Sequence, residues 1–404
     1  MQELDLSPND FELCLKCNLC TTVCPMMAAN PHYPGPKQAG PDGERYRLKD
    51  AAFYDLTLKY CLNCKRCEVA CPSDVRVGDI IQNARIRFGR QHNPIRDFML
   101  ANTDLVGSLA SPLAPVVNSA LGFKPVRLAL DSLMGVDRRR VFPSYSKERF
   151  SSWFRKNALP RQARFARKIA YFHGCYVEYN FPQLGKDLVR ILNEAGYGVE
   201  LLPEEKCCGV ALLSNGFSRQ ARRQAESNIS AFRKALSGGA EAILTTGSTC
   251  TLTLREEYSN ILGMDVSDVA SCIHLATEWL YGKLESGEIS LKFKSLGKPL
   301  RVAYHSACHM VKLGWSIFSI EMLRRIPGLQ LIPLKPQCCG IAGTFGFKKE
   351  NYDYSQKIGL SLFDEIRELN PDLVATDCET CKWQIEMSTQ YSVLNPVSLL
   401  SAAL

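Results

Sequence analysis

The sequence predicts a multidomain α+β protein: a small helical unit rich in cysteine, a cysteine-free linker, and two copies of an α/β unit. Three observations predict it. The 18 cysteines of the 404-residue chain fall in blocks, eight in residues 1–90, none in 91–168 and ten in 169–404. In the last block, strand-like runs alternate with helical stretches, the order expected of parallel sheets. A cysteine pattern also recurs there, Cys207-Cys208-Gly209 as Cys338-Cys339-Gly340 and Cys250 as Cys381, each 131 residues further on.

Within the first unit, Cys14-x2-Cys17-x2-Cys20-x3-Cys24-Pro25 is followed by Cys61-x2-Cys64-x2-Cys67-x3-Cys71-Pro72. This is the spacing of bacterial two-cluster ferredoxins. Three thiolates two residues apart wrap one cubane, and the fourth, turned away before a proline, reaches the other. Cys14, Cys17, Cys20 and Cys71 are therefore expected to hold one 4Fe-4S cluster, and Cys61, Cys64, Cys67 and Cys24 a second. A zinc ribbon would need only four cysteines in two pairs. The 36 residues between Cys24 and Cys61 exceed what a compact ferredoxin requires. A turn-rich stretch at 31–43 and a helix over 44–60 are expected there, giving a helical ferredoxin domain over 1–90.

The linker, 91–168, reads as short helices in a basic, Pro- and Ser-rich docking segment. Residues 136–170 carry eleven basic residues against Asp137 and Glu148, more than the +8 of the whole chain. Such a block is either a solvated face or, with Phe150, Trp153, Phe154 and Phe165 interleaved, an attachment to anionic lipid. No stretch reaches the roughly 18 uninterrupted apolar residues of a membrane span. Met1-Gln2-Glu3-Leu4-Asp5 has neither basic nor apolar signal character, so a reducing cytoplasm and metal ligation are expected in place of disulfides.

The first α/β unit, 169–285, is predicted from strands at 168–171, 199–202 and 242–246 with helices near 184–195 and 218–236. The second, 286–404, repeats them as strands at 301–304, 329–334 and 373–376 with helices near 315–325 and 352–369. Cys175 recurs as Cys308, each after a strand end containing a histidine. The register leaves Gly247 opposite Cys378, so the first unit (Cys175, Cys207, Cys208, Cys250) is one ligand short of the second (Cys308, Cys338, Cys339, Cys378, Cys381). Cys272 belongs to neither.

Adjacent cysteines make strained disulfides but can cap or bridge irons of an irregular cluster. The second set resembles the cysteine-rich CCG domain of heterodisulfide reductases and related respiratory proteins. That resemblance implies a noncubane 4Fe-4S cluster in the second unit, with the CCG glycine permitting close backbone approach. A zinc site or a redox-sensing dithiol is the alternative, and the first unit is left open between iron, zinc and no metal. His173, His305 and His309 are candidate ligands, proton donors or local hydrogen-bonding groups.

No dinucleotide loop, Walker A sequence or nucleophile elbow is present, so flavin and substrate chemistry is assigned to partner subunits and no catalytic residue to this chain. The whole chain resembles the C-type, iron–sulfur subunits of anaerobic glycerol-3-phosphate dehydrogenases, including the stretches 33–45, 340–344 and 376–388. The resemblance implies a peripheral iron–sulfur electron-transfer subunit on the cytoplasmic face of the inner membrane. Its implied partners are two flavoprotein subunits of A and B type, a quinone (menaquinone) and the anionic membrane surface, with no nucleic acid. Neighbouring readings are the iron–sulfur subunit of a glycolate or lactate oxidase, a heterodisulfide-reductase-type enzyme, or a zinc-binding scaffold.

Overall fold

The computed structural model describes residues 10–50, 53, 56–88 and 93–404. Met1–Asp5, read above for signal character, lie outside the described residues. Two four-stranded parallel sheets carry the second half of the chain. The first contains β1 (Arg167–Tyr171), β2 (Tyr197–Leu201), β3 (Ala240–Thr245) and β4 (Ile273–Leu275), in the order β2-β1-β3-β4. The second contains β5 (Leu300–Tyr304), β6 (Leu329–Pro333), β7 (Leu373–Ala375) and β8 (Val393–Leu394), in the same order, β6-β5-β7-β8. Registers match too: β1 pairs with β2 from Arg167↔Tyr197, and β5 with β6 from Leu300↔Leu329. Six of these strands follow the sequence expectation; β4 and β8, three and two residues long, are additional. Apolar side chains on β1, β5 and the helices Pro182–Glu194 and Pro396–Ala402 form one core shared by both units.

The sheet order turns at β1/β3 and at β5/β7. In parallel sheets, ligands gather beyond the carboxyl ends of strands at such a switch point. Each cysteine group sits there: Cys175 follows β1, Cys207-Cys208 follows β2 and Cys250 follows β3, with Cys308, Cys338-Cys339 and Cys378/Cys381 placed likewise.

In the N-terminal domain the two cysteine loops share a backbone signature. Lys16 and Asn18 have left-handed φ of 58° and 65°, as do Asn63 and Lys65, at 51° and 59°. Each loop runs into a four-residue helix, Leu19–Thr22 or Arg66–Val69. The expected helix over 44–60 is not continuous. A helix spans Gly43–Lys49, Asp50 is extended, and Leu56–Tyr60 is a 3-10 turn, with 51, 52, 54 and 55 outside the described residues. The helix is anchored by the buried Arg47–Glu44 pair, with N–H donating to carboxylate at 2.7 Å. The break turns the chain so that Cys61 returns beside Cys24.

Short helices do fill the region after 93, including Pro94–Ala101, Thr103–Ala110 and Ala114–Gly122, but its second half is not a loose solvated linker. Phe150 and Phe154 are fully buried in the shared core. Arg140 is buried as well; it donates to the Gly346 carbonyl, the Gln384 side chain and Ser355 Oγ (2.8 Å) and lies over the Tyr352 ring. Arg139 pairs with Asp137 and Asp353. This corrects the reading of 136–170 in part: Arg140, Phe150 and Phe154 are packing, while Arg138, Lys147, Arg155, Lys156, Arg161 and Arg164 remain exposed. The apolar surface lies earlier. The helical run Thr103–Gly122 is 20 residues with mean hydropathy 1.3 and is mostly unburied, long and apolar enough by length and composition alone to span a bilayer, though it is interrupted by Asp104 and Asn118. It exposes Leu109, Leu113 and Val116, and Phe123, Leu128 and Leu133 extend the face.

Candidate metal centres

The first eight cysteines sort by position. Cys14, Cys17, Cys20 and Cys71 line one small cavity. Cys24, Cys61, Cys64 and Cys67 line a second. The fourth thiol of each run therefore crosses to the other set, as the spacing predicts. The first set lies near the surface, with Cys17 exposed, while Cys67 of the second is buried. Burial and the neighbouring thiols Cys64 and Cys61 push the Cys24 thiol up to about 12. A buried thiol held so far from ionisation needs positive charge to become a ligand, and iron supplies that. The donor set fits two four-thiolate clusters.

A buried network of charged groups also adjoins the second set. Lys65, next to Cys64, is buried among Asp79, Glu68 (3.6 Å) and Glu257 (3.6 Å). Asn63 donates to Glu257 Oε1 at 2.7 Å, and Arg66 donates to the Pro336 carbonyl. The loop 63–66 is thus clamped between the two α/β units.

The second unit brings its five cysteines together at the sheet switch point. Cys339 Sγ and Cys381 Sγ are 3.2 Å apart, and the Gly340 N–H donates to Cys338 Sγ at 3.4 Å. Cys378 is lowered to about 5, chiefly by hydrogen bonding from Cys381, against its burial. Gly340 has a φ of +86°, and a Cβ there would overlap the Ser355 carbonyl oxygen. Only glycine satisfies both conditions.

The first unit assembles four. Cys175 and Cys207 are 3.7 Å apart, and Cys208 and Cys250 interact directly. Its surroundings are acidic: Asp104 accepts from the Cys207 N–H at 2.7 Å, and Glu205 accepts from the Gly174 N–H at 2.7 Å. Burial and the Cys207 charge push Asp104 up to about 7. Among the described residues, no three His, Cys, Asp or Glu side chains converge as they would on a single metal ion.

Two family descriptions match the chain. Residues 10–75 match a 4Fe-4S dicluster domain, and residues 169–255 and 302–386 each match the cysteine-rich CCG domain. The C-type subunit of the anaerobic glycerol-3-phosphate dehydrogenase of Escherichia coli is 54% identical over 399 residues, covering 99% of this chain and 100% of that protein. The chain belongs to this family. More distant relatives share its architecture. The B-type subunit of the fumarate reductase (CoM/CoB) of Methanothermobacter marburgensis is 25% identical over 96% of this chain and 70% of its own length. The glycolate oxidase iron–sulfur subunit of Escherichia coli is 25% identical over 97% and 93%.

In this member of the family the domains meet at their cysteines. The Cys64 charge is among those that push Cys308 and Cys338 up, after their burial, so the second ferredoxin set abuts the second CCG unit. Helix Cys308–Leu313 packs on helix Arg66–Val69 at this point. His309 joins the seam, its ring nitrogens 3.2 Å from Thr249 Oγ1 and 3.1 Å from the Asn63 carbonyl, a positioning role. His305 takes the place that Phe172 holds in the first unit: both N–H groups donate to the third strand, at Ala375 and Leu244. Its ring nitrogens have no hydrogen-bond partner, and burial with the nearby Arg66 pushes it down to about 4, so it is neutral. Cys272 lies outside both groups, at the start of β4. Sequence reasoning missed Asp104, Glu205, Lys65 and Glu379; Lys65 and Glu379 occupy intervening positions inside the cysteine runs, and each of the four acquires its place from a distant segment.

Proposed function

We propose that this chain is the iron–sulfur electron-transfer subunit of a membrane-associated anaerobic glycerol-3-phosphate dehydrogenase, relaying electrons from A- and B-type flavoprotein partners to a quinone. Bound iron–sulfur clusters supply one-electron transfer; the chain's own residues fix the order of the stations. The observation that carries the reading is that order. An exposed set (Cys14, Cys17, Cys20, Cys71) adjoins a buried one (Cys24, Cys61, Cys64, Cys67), which in turn adjoins Cys308 and Cys338 of the second CCG unit. The exposed set receives electrons from the flavoprotein, and the second CCG unit, holding a noncubane 4Fe-4S cluster on its five cysteines, delivers them to quinone.

Cys339→Ser in the assembled complex tests this. Transfer from glycerol 3-phosphate to an artificial dye, which intercepts electrons at the flavin, should persist, while transfer to a menaquinone analogue should fail. Normal quinone reduction by a variant shown to have lost its C-terminal iron would sink the proposal.

The membrane contact is the helical face of residues 94–134, lying in the interface of the cytoplasmic leaflet instead of crossing it. Gly107 is seated directly against the Tyr179 ring, and Asp104 against Cys207, so this run is docked on the protein and offers one apolar face. Leu109→Glu/Val116→Glu should abolish flotation with anionic liposomes. Replacing the exposed Arg138 with Gln should weaken it by only about 1 kcal/mol. Undiminished flotation of the double variant would exclude this face.

A further inference from the structure

The first CCG unit has Gly247 where the second has Cys378. The turns that carry them, 247–250 and 378–381, lie back to back. The Ser248 N–H donates to the Asp377 carbonyl at 2.8 Å, and Thr249 Oγ1 is 3.7 Å from Cys378 Sγ. Each turn therefore reaches the site of the other.

Glu379 makes the reverse crossing. A Cβ on Gly247 would stand 2.5 Å from Glu379 Oε1 and 2.8 Å from Oε2. The carboxylate occupies the space that a cysteine side chain at 247 would fill. It is also close enough to act on the Cys250 thiol of the first unit. The charged groups acting on Glu379 itself are Cys378 and Asp377, both acidic. Burial first, and then these two acids, push the Glu379 carboxyl well above the usual carboxylate range, and among the described residues no lysine or arginine pairs with it. Two pairs of contacting thiols, Cys175 with Cys207 and Cys208 with Cys250, and a carboxyl group beside Cys250 that has no cation partner form a donor set suited to a cluster of several irons.

We propose that Glu379 completes the metal centre of the first unit from across the unit boundary, its carboxylate taking, beside Cys175, Cys207, Cys208 and Cys250, the place that Cys378 takes in the second. The assignment rests on the reading that the first unit holds iron. It makes the adjacent residues Cys378 and Glu379 ligands of two different centres, so one peptide bond links the centres of the two units. A single carboxylate among thiolates also distinguishes the two centres electronically, since ligand identity sets cluster potential.

The test uses the full chain, purified anaerobically, in a Cys339→Ser background that removes the contribution of the second unit. Into it are introduced Cys208→Ser, Glu379→Gln, or the pair Gly247→Cys/Glu379→Ser, which moves a thiol into the first unit and puts at 379 the residue found at its repeat position, Ser248. Iron and acid-labile sulfide per chain and the EPR spectrum are measured. Cys208→Ser should lose iron. Glu379→Gln should lose the same iron or shift its EPR signal, and the pair should restore the iron with a spectrum of all-thiolate character. If Cys208→Ser loses iron while Glu379→Gln keeps both wild-type iron and spectrum, the Glu379 assignment fails and the iron reading stands. If Cys208→Ser loses no iron, both fail.

Discussion

The two CCG units place a histidine beside each cysteine group and give it opposite character. His173 lies between Glu205 (3.0 Å) and Glu178 (3.2 Å); burial works against its charge, but the two carboxylates outweigh it and raise the imidazole to about 10. His305, in a slot that holds phenylalanine in the first unit, is pushed down to about 4 by burial and Arg66. The contrast extends outward. The first unit surrounds four thiols with Asp104, Glu205 and Glu379, while the second has five, of which Cys378 is lowered to about 5 by its hydrogen bond with Cys381. What the units share is what backbone geometry demands, namely strand order, switch point and the left-handed glycine after paired cysteines. Charge and ligand set, which the backbone does not dictate, have diverged.

The glycine is the sharpest place to break this comparison. Gly209 and Gly340 share a φ of +86°, but a Cβ at Gly209 would lie 3.5 Å from Ala221, an ordinary contact, whereas at Gly340 it would overlap the Ser355 carbonyl. Gly209→Ala should therefore cost the left-handed penalty alone, about 1–2 kcal/mol. Gly340→Ala should cost about 4 kcal/mol, since backbone must shift as well. Thermal unfolding of the two variants side by side would check it, and equal shifts would show that Ser355 yields freely.

A smaller effect sharpens the histidine contrast. The folded value of His173 lies above its ordinary 6.5, so the stability it contributes is complete below about pH 6.5 and is lost as pH rises through about 10. With charged hydrogen-bond partners of this kind the contribution is about 2 kcal/mol. The denaturation midpoint of the wild type should fall between about pH 7 and pH 10, and His173→Gln should flatten that fall. His305→Gln should leave it unchanged, because that imidazole is already neutral across the range. An alkaline fall that persists in His173→Gln would assign it to other groups.

The chain by itself determined whatever local spacing controls. Two Cys-x2-Cys-x2-Cys-x3-Cys-Pro runs set which thiols face which cavity, because three residues of separation and a following proline leave the backbone little choice. The offset of 131 residues between the paired cysteines set the duplication. Helices Pro182–Glu194 and Tyr352–Leu369 were legible from their periodicity, since each buries one continuous apolar face. β4 and β8 were not, because two or three residues carry too little alternation to register. Only the tertiary structure decided that Arg140, one of three consecutive arginines in a basic block, is a buried strut, and that the apolar surface lies on the helices before it. It alone also set Glu379 of one unit against Gly247 of the other. These depend on segments 130 to more than 200 residues apart being folded against each other, and a one-dimensional pattern holds no record of which distant backbone will arrive beside a given side chain.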